Sequence, residues 1–275
     1  MFKKKKKTIL FPCLGNSAGG SHLSTITFLK KIKLIGYDYV VLLINGGVLE
    51  NILNENKIKY VKINIIKKKS FDNVFYLLGI ILLNFKNLRK VVEELKPYAI
   101  HTNELEMHYL WSIICWILGI PHIWHQHSAF YSKKNVLLSS LSSKIITVSR
   151  FCKESFVFNM SKRAKVVYNP FDILKYQENR INKKELLKKL KLVPNKKTIS
   201  FFGNESYQKG LNFFIEIIKK VDLKYKKKFN YLIVGNIKNK KKIYNLKLKG
   251  KINILCFNNF VKDLIQASDI IIFLQ

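Results

Sequence analysis

Four short stretches hold residue types that could bind an anion or hand over a proton. Gly15–His22, GNSAGGSH, gathers three glycines and two serines without one positive charge, in a chain otherwise crowded with lysine. Missing side chains let a ligand approach backbone N–H groups, and a helix starting there favours an anion. Phe201–Gly210, FFGNESYQKG, repeats the arrangement with Gly203, Asn204 and Lys209. A lysine at a helix N-terminus opposes the macrodipole, which makes sense with a phosphate between them. His122–Ser128, HIWHQHS, and His101–Glu106, HTNELE, each close an apolar run with imidazoles, an amide or a carboxylate. Taken singly, each stretch has a plain structural reading: a tight turn, a solvated lysine, a core histidine.

These residues need elements to hold them, and the hydrophobic periodicity supplies them. Short β-rich runs at Thr8–Leu14, Tyr39–Ile44, Tyr60–Ile65, Ala99–Thr102, His122–His125, Lys144–Val148 and Val166–Tyr168 alternate with helical ones. Ser21–Ile35 repeats apolar residues at Leu23, Ile26, Leu29, Ile32 and Ile35, and Leu105–Leu118 is apolar all round, the mark of a buried helix. Such alternation predicts a parallel sheet covered by helices, with all four stretches beyond carboxyl ends of strands. The pattern lapses after Asp172 and restarts at Lys197. This predicts a Rossmann-like domain over 1–172, a linker over 173–195 and a second, incomplete Rossmann-like domain over 196–275. A helix from Lys209 to about Leu223 follows the new first strand, and the chain ends at the tip of an apolar strand.

Composition narrows the classes. The chain has 275 residues, and 50 Lys and Arg against 17 Asp and Glu give a net charge of +33. That points to an anionic membrane surface or to nucleic acid, or to a lysine bias of the coding sequence. Nucleic acid is disfavoured, because interleaved arginine and aromatic residues in a recognisable module are missing. Cys13, Cys115, Cys152 and Cys256 form no CxxC pair and read as buried thiols in a reducing compartment. No cluster of Asp, Glu and Cys joins His125 and His127, so no metal is expected. The apolar stretches 74–85 and 109–124 fall short of the ~18 residues that span a bilayer. A cytoplasmic protein, resting on a membrane face at most, is expected.

Taken in order, GNSAGGSH, IPHIWHQHS, KIITVSRF, VVYNPFD, ISFFGNESYQKG, YLIVG and ASDIIIF resemble the family-4 group of retaining glycosyltransferases. The resemblance implies a GT-B fold of two facing Rossmann-like domains. It also implies a nucleotide-sugar donor held between them, no obligatory metal or other cofactor, and a glycan or lipid-linked acceptor bound mainly by the N-terminal domain. By that resemblance Gly19 and Gly20 approach the donor diphosphate beside Gly203 and Asn204, and Lys209 neutralises it. His127 sits near the transferring sugar, and His101, Asn103 and Glu104 lie on the acceptor side. Asn204 stands where the family usually has arginine, and the family's glutamate-bearing donor segment falls beyond Gln275. An inactive, truncated transferase of cell-envelope polysaccharide assembly is the expectation. A basic nucleic-acid-binding or non-catalytic partner protein is the alternative.

Overall fold

A computed structural model describes residues 7–16, 18–66, 74–129, 132–156, 160–171, 181–206, 209–256 and 260–273. The chain divides into two compact units, Met1–Asp172 and Ile173–Gln275.

In the first unit seven strands run parallel: β1 (Lys7–Cys13), β2 (Tyr37–Leu43), β3 (Tyr60–Lys62), β4 (Ala99–Thr102), β5 (His122–Gln126), β6 (Lys144–Thr147) and β7 (Ala164–Val166). Helices fill the crossovers: α1 (Gly20–Ile32), α2 (Val48–Glu55), α3 (Val74–Leu95), α4 (Leu105–Leu118), α5 (Lys133–Ser140), α6 (Arg150–Glu154) and α7 (Met160–Arg163). The strand order is β3-β2-β1-β4-β5-β6-β7. The chain therefore builds outward from β1 in one direction, then returns to build in the other. The reversal between β1 and β4 leaves a crevice at their carboxyl ends.

Strand alternation sorts the core to two faces. Leu10, Leu42 and Ile100 pack with Leu77, Leu88 and Leu110 of α3 and α4. Phe11, Val41 and Leu43 pack with Ile26, Leu29 and Leu53 of α1 and α2. Both faces are covered, which is why these strands read as continuous apolar runs.

The second unit contains α8 (Lys183–Lys189), β8 (Lys197–Phe202), α9 (Leu211–Tyr225), β9 (Phe229–Val234), α10 (Lys240–Tyr244), β10 (Lys251–Leu255), α11 (Val261–Ala267) and β11 (Ile270–Ile271). Its smaller parallel sheet has the order β10-β9-β8-β11. Tyr231 and Ile233 face α9, whereas Leu232 and Val234 face α8 and α11.

Several expectations need correcting. Residues 183–193, read as linker, fold into the second unit: Leu187 and Leu192 are buried, and Val193 N–H donates to Asn230 Oδ1 at 3.0 Å. Helix α1 stops at Ile32, and a 3₁₀ turn over Lys33–Ile35 leaves Ile35 exposed, as Leu23 also is. The last strand of the first sheet is Ala164–Val166, two residues earlier than expected, because pairing with β6 fixes its register. Helix α4 has the expected bounds but exposes Trp116 and Ile117. Cys13, Cys115 and Cys152 are buried, whereas Cys256 is exposed just beyond β10.

Helix ends show the lysine bias most directly. Every non-glycine residue with positive φ among the described residues is a lysine: Lys57, Lys96, Lys191, Lys226 and Lys227.

Candidate functional site

The β1–α1 loop forms one wall of the crevice. Gly15 has φ of 94°, and a Cβ there would lie 2.0 Å from the Asn45 carbonyl oxygen, so this glycine is required by the fold. Gly19 and Gly20 differ. Neither has positive φ, and a Cβ on either would meet nothing within 4 Å. Both are exposed at the start of α1. Among the described residues the N–H groups of Gly20 and Ser21 have no acceptor, whereas His22 and Leu23 N–H bond back to the Gly19 carbonyl at 3.1 and 3.2 Å. An open pair of amides at a helix start is suited to an anion.

The β4–α4 loop forms the other wall. Glu104 occupies the N-cap position of α4. One carboxylate oxygen accepts from Leu14 N–H at 2.8 Å, and the other meets His22 Nε2 in a short contact. The His22 Nδ1 in turn accepts from Gly19 N–H at 3.0 Å. Asn103, almost buried, accepts from His127 Nε2–H at 3.3 Å. Farther along the chain, Ser24 of α1 donates to Asn169 Oδ1 at 2.9 Å.

Three imidazoles line up below this rim. His101 lies between Phe11 and His125, its Nε2 3.2 Å from His125 Nδ1, and the His125 ring lies tilted against His127 with centroids 4.3 Å apart. Burial, reinforced by neighbouring imidazoles, holds them neutral: His101 is pushed down to about 3, His125 to about 2 and His127 to about 4. His125 Nε2 is buried without a partner among the described residues. His127 borders a hollow of about 60 Å³ shared with Asn103, Gln126 and Ser128. It can therefore offer its ring to a ligand as hydrogen-bonding edge rather than as cation.

Deeper still, Thr102 Oγ1 bonds to His108 Nδ1 at 2.6 Å and to His122 Nε2 at 2.9 Å, and His122 Nδ1 reaches Ser142 Oγ at 2.9 Å. His122 is thus a satisfied core histidine, with burial pushing it down to about 3.

The second unit carries its own cluster. Gly203 is pressed against the β9 end: Gly235 would place a Cβ 1.9 Å from the Gly203 carbonyl oxygen. Asn204 Oδ1 accepts from Asn236 N–H at 2.9 Å, and Glu205 Oε2 accepts from Lys238 and Asn239 N–H at 2.6 and 3.3 Å. Asn204 is therefore a brace between two strand-end loops. Lys209 is exposed, but α9 begins at Leu211 behind the left-handed cap Gly210, so this lysine precedes the helix instead of starting it. A hollow of about 310 Å³ at the α9 start is lined by Glu205, Ser206, Asn212 and Glu216.

The fold thus brings Gly19, Gly20, Asn103, Glu104 and His127 together on the first unit, with His101 beneath them. Gly203, Asn204 and Lys209 gather on the second. Reading the sequence missed His22. Its position three residues after the cap Gly19, where a side chain can accept from the cap N–H, was the available signal. Its bond to Glu104, 82 residues away, was not visible without the strand order.

Among the described residues no helix is long and apolar enough to cross a membrane, and no group of three or more His, Cys, Asp or Glu side chains is placed to hold a metal ion.

A comparison with curated protein sequences finds no match. Solved structures do resemble the chain. HepE of Anabaena, solved with UDP and glucose, is 19% identical with a TM-score of 0.74, over 97% of this chain and 73% of its own. A glycosyltransferase of Rickettsia africae is 20% identical with a TM-score of 0.75, over 98% and 73%. WaaG, a glycosyltransferase involved in lipopolysaccharide biosynthesis, is 13% identical with a TM-score of 0.62, over 96% and 74%. The family model described as Glycosyltransferase Family 4 matches residues 39–174, from within β2 to just beyond β7. With that match spanning most of a seven-stranded parallel sheet, and a smaller parallel sheet following it, the chain belongs to glycosyltransferase family 4 and has a GT-B-like fold.

Proposed function

We propose that the chain transfers a sugar, with retention, from a nucleotide-sugar donor to a glycan or glycolipid acceptor in cell-envelope polysaccharide assembly. The observation that carries this reading is the glycine pair at the α1 start. Neither backbone torsion nor a described neighbour requires glycine at 19 or 20, yet two amides at the topological switch point have no acceptor among the described residues. HepE, which shares the fold, was solved with UDP-glucose.

In this reading residues 1–172 carry the acceptor side and the glycine pair for the donor diphosphate, and residues 196–275 carry the rest of the donor side. The Gly20 and Ser21 amides stabilise the charge that develops on the departing nucleoside diphosphate, an electrostatic contribution that requires no metal from the chain, and Lys209 is the cation that the second unit offers to an anionic donor. Gly203 keeps the loop before Lys209 compact, and Asn204 braces it. His127, neutral and open to the hollow beside Asn103, contacts the sugar, and the Asn103–Glu104 rim with His101 beneath it lies on the acceptor side.

The basic surface holds the enzyme on anionic lipid. On α3 the exposed residues pass from Leu78, Leu82 and Leu83 to Lys86, Arg89 and Lys90, apolar contact followed by cationic contact along one helix.

Turnover with a panel of nucleotide sugars and a lipid-linked acceptor tests the reaction. Saturable binding of one nucleotide sugar is expected, and transfer from it would set aside the inactivity expected from the sequence. A chain that binds no nucleotide sugar and instead binds DNA tightly would overturn the proposal. Vesicles containing anionic lipid should release the protein steeply between low and high salt, and salt-insensitive partitioning would remove the lipid role.

A further inference from the structure

The polar run Leu14–Glu104–His22–Gly19 has no part in the transfer chemistry, yet it joins both ends of the loop that the proposed donor site needs. A neutral imidazole has one donor and one acceptor nitrogen. The Gly19 N–H can only donate, so the Nδ1 facing it at 3.0 Å must present a lone pair. The proton then sits on Nε2, where an ionised Glu104 oxygen receives it. The second Glu104 oxygen receives Leu14 N–H. No other proton distribution with an ionised Glu104 satisfies all three contacts.

We propose that Glu104 and His22 are positioning residues, the carboxylate selecting the Nε2–H tautomer of His22 and that tautomer setting the Leu14–Gly20 loop. The loop begins at Leu14, which Glu104 holds directly, and ends at Gly19, which it holds through the imidazole. Gly19 has no side chain with which to cap α1, so His22 replaces half of a capping box by accepting from the cap N–H. The pair is sheltered, with side chains 7% and 12% exposed. Shelter makes the contacts directional and strong, and it keeps water from substituting for a lost partner.

The arrangement also resolves an apparent conflict of charge. A carboxylate beside a diphosphate site would repel the ligand if it faced outward. Both Glu104 oxygens are instead turned to inward donors, and the Gly20 and Ser21 amides have no acceptor among the described residues. The functional meaning of this loop rests on the transferase reading above; the tautomer and the loop geometry do not.

Three substitutions separate the contacts atom by atom. His22→Asn puts an amide oxygen near the Nδ1 position and keeps the Gly19 contact while losing Glu104. His22→Leu fills much of the ring's space and makes neither contact. Glu104→Gln offers one acceptor where two are needed, so either Leu14 N–H loses its partner or the imidazole is driven to the opposite tautomer. Ring nitrogen chemical shifts should report Nε2–H His22 in the wild type. Hydrogen exchange at the Gly19 amide should be protected in the wild type and His22→Asn, and at least tenfold faster in His22→Leu. Glu104→Gln should deprotect the Leu14 or the Gly19 amide by the same factor.

Affinity for UDP or GDP should fall at least tenfold in His22→Leu and Glu104→Gln, and less in His22→Asn. An Nδ1–H tautomer in the wild type, or equal Gly19 exchange in His22→Asn and His22→Leu, overturns the proposal. If Glu104→Gln does not fold, the His22 pair decides. If the wild type binds no nucleoside diphosphate, the transferase reading fails, while the tautomer and exchange results still decide the positioning role.

Discussion

Two helix ends invite a test in which removing a charged side chain strengthens the protein. At the end of α2, Ile58 N–H bonds to Leu53 O at 2.9 Å and Lys57 N–H to Asn54 O at 3.0 Å. At the end of α8, Leu192 N–H bonds to Leu187 O at 2.9 Å and Lys191 N–H to Lys188 O at 2.8 Å. Both are Schellman endings, with their apolar pairs Leu53–Ile58 and Leu187–Leu192 buried. Each places a lysine at φ of 55° where the motif favours glycine, whereas α4 ends the same way on Gly119 at φ of 66°. A left-handed L-residue costs ~1–2 kcal/mol, and the extra unfolded-chain freedom of glycine returns ~0.4–1 kcal/mol of that. Lys57→Gly and Lys191→Gly should therefore each stabilise their own unit by about 0.5–1 kcal/mol, or roughly 1–4 °C in Tm for the first unit and roughly 2–8 °C for the smaller second. The lysine charge favours the helix carbonyl end, so the gain should grow with salt. Urea and thermal unfolding at low and high salt measure it, with Lys57→Ala, which keeps the Cβ, as a control that gains nothing. At Gly119 an added Cβ meets nothing within 4 Å, so Gly119→Ala should lose about 1 kcal/mol from torsion alone. Glycine variants that are neutral or weaker at high salt would refute the reasoning.

Gly20→Ala should leave stability unchanged or raised by about 0.5–1 kcal/mol, since it adds a better helix former without a clash, yet weaken nucleotide-sugar binding; unchanged affinity would take the glycine out of the site. Lys209→Ala should lower kcat/KM by roughly 10²-fold with no change in unfolding midpoint, and equal turnover would dismiss it. Burial holds His101, His122, His125 and His127 at or below about 4 in the folded chain, against 6.5 when unfolded. The unfolded chain therefore binds more protons between pH 6.5 and 4, so the first unit is fully stabilised above about 6.5 and weakens as pH falls. Trp111, Trp116 and Trp124 all lie in that unit, so their fluorescence in urea at pH 7.5 and 5 isolates the effect, and equal midpoints would contradict it.

Elements with sharp compositional edges were legible in the sequence. Strand β4 and helix α4 have the expected bounds, the helix ending at a left-handed Gly119. Helix α8 was hidden by its lysines, although Leu186, Leu187 and Leu190 already carried a helical spacing that packs under the second sheet. The end of α1 was missed because Ile35 carries the apolar rhythm through a 3₁₀ turn, after which Gly36, at φ of 84°, turns the chain. The loops of the candidate site were visible as glycine- and histidine-rich strand ends. Their partnerships were not, since Glu104 reaches Leu14 and His22 only because β4 pairs with β1. Local patterning marks which residues are polar at a strand end; strand order decides which of them meet.

That strand order also bears on how the chain is made. Strand β1 lies at the centre of its sheet, but its neighbour β4 begins at Ala99, 86 residues after Cys13 ends β1. At ribosomal speeds of ~5–20 residues per second, the β4 side of β1 waits about 4–17 s for its partner to be synthesised. During that interval β1, β2 and β3 can pair, while Leu10, fully buried in the finished protein, has no α3 or α4 beneath it. The half-sheet is then an adhesive surface on a nascent chain, and α3, which is synthesised before β4, is the first element able to shield it. The most sensitive stage of biogenesis is therefore set by a gap in the order of synthesis, at the same seam where the finished protein keeps its candidate site.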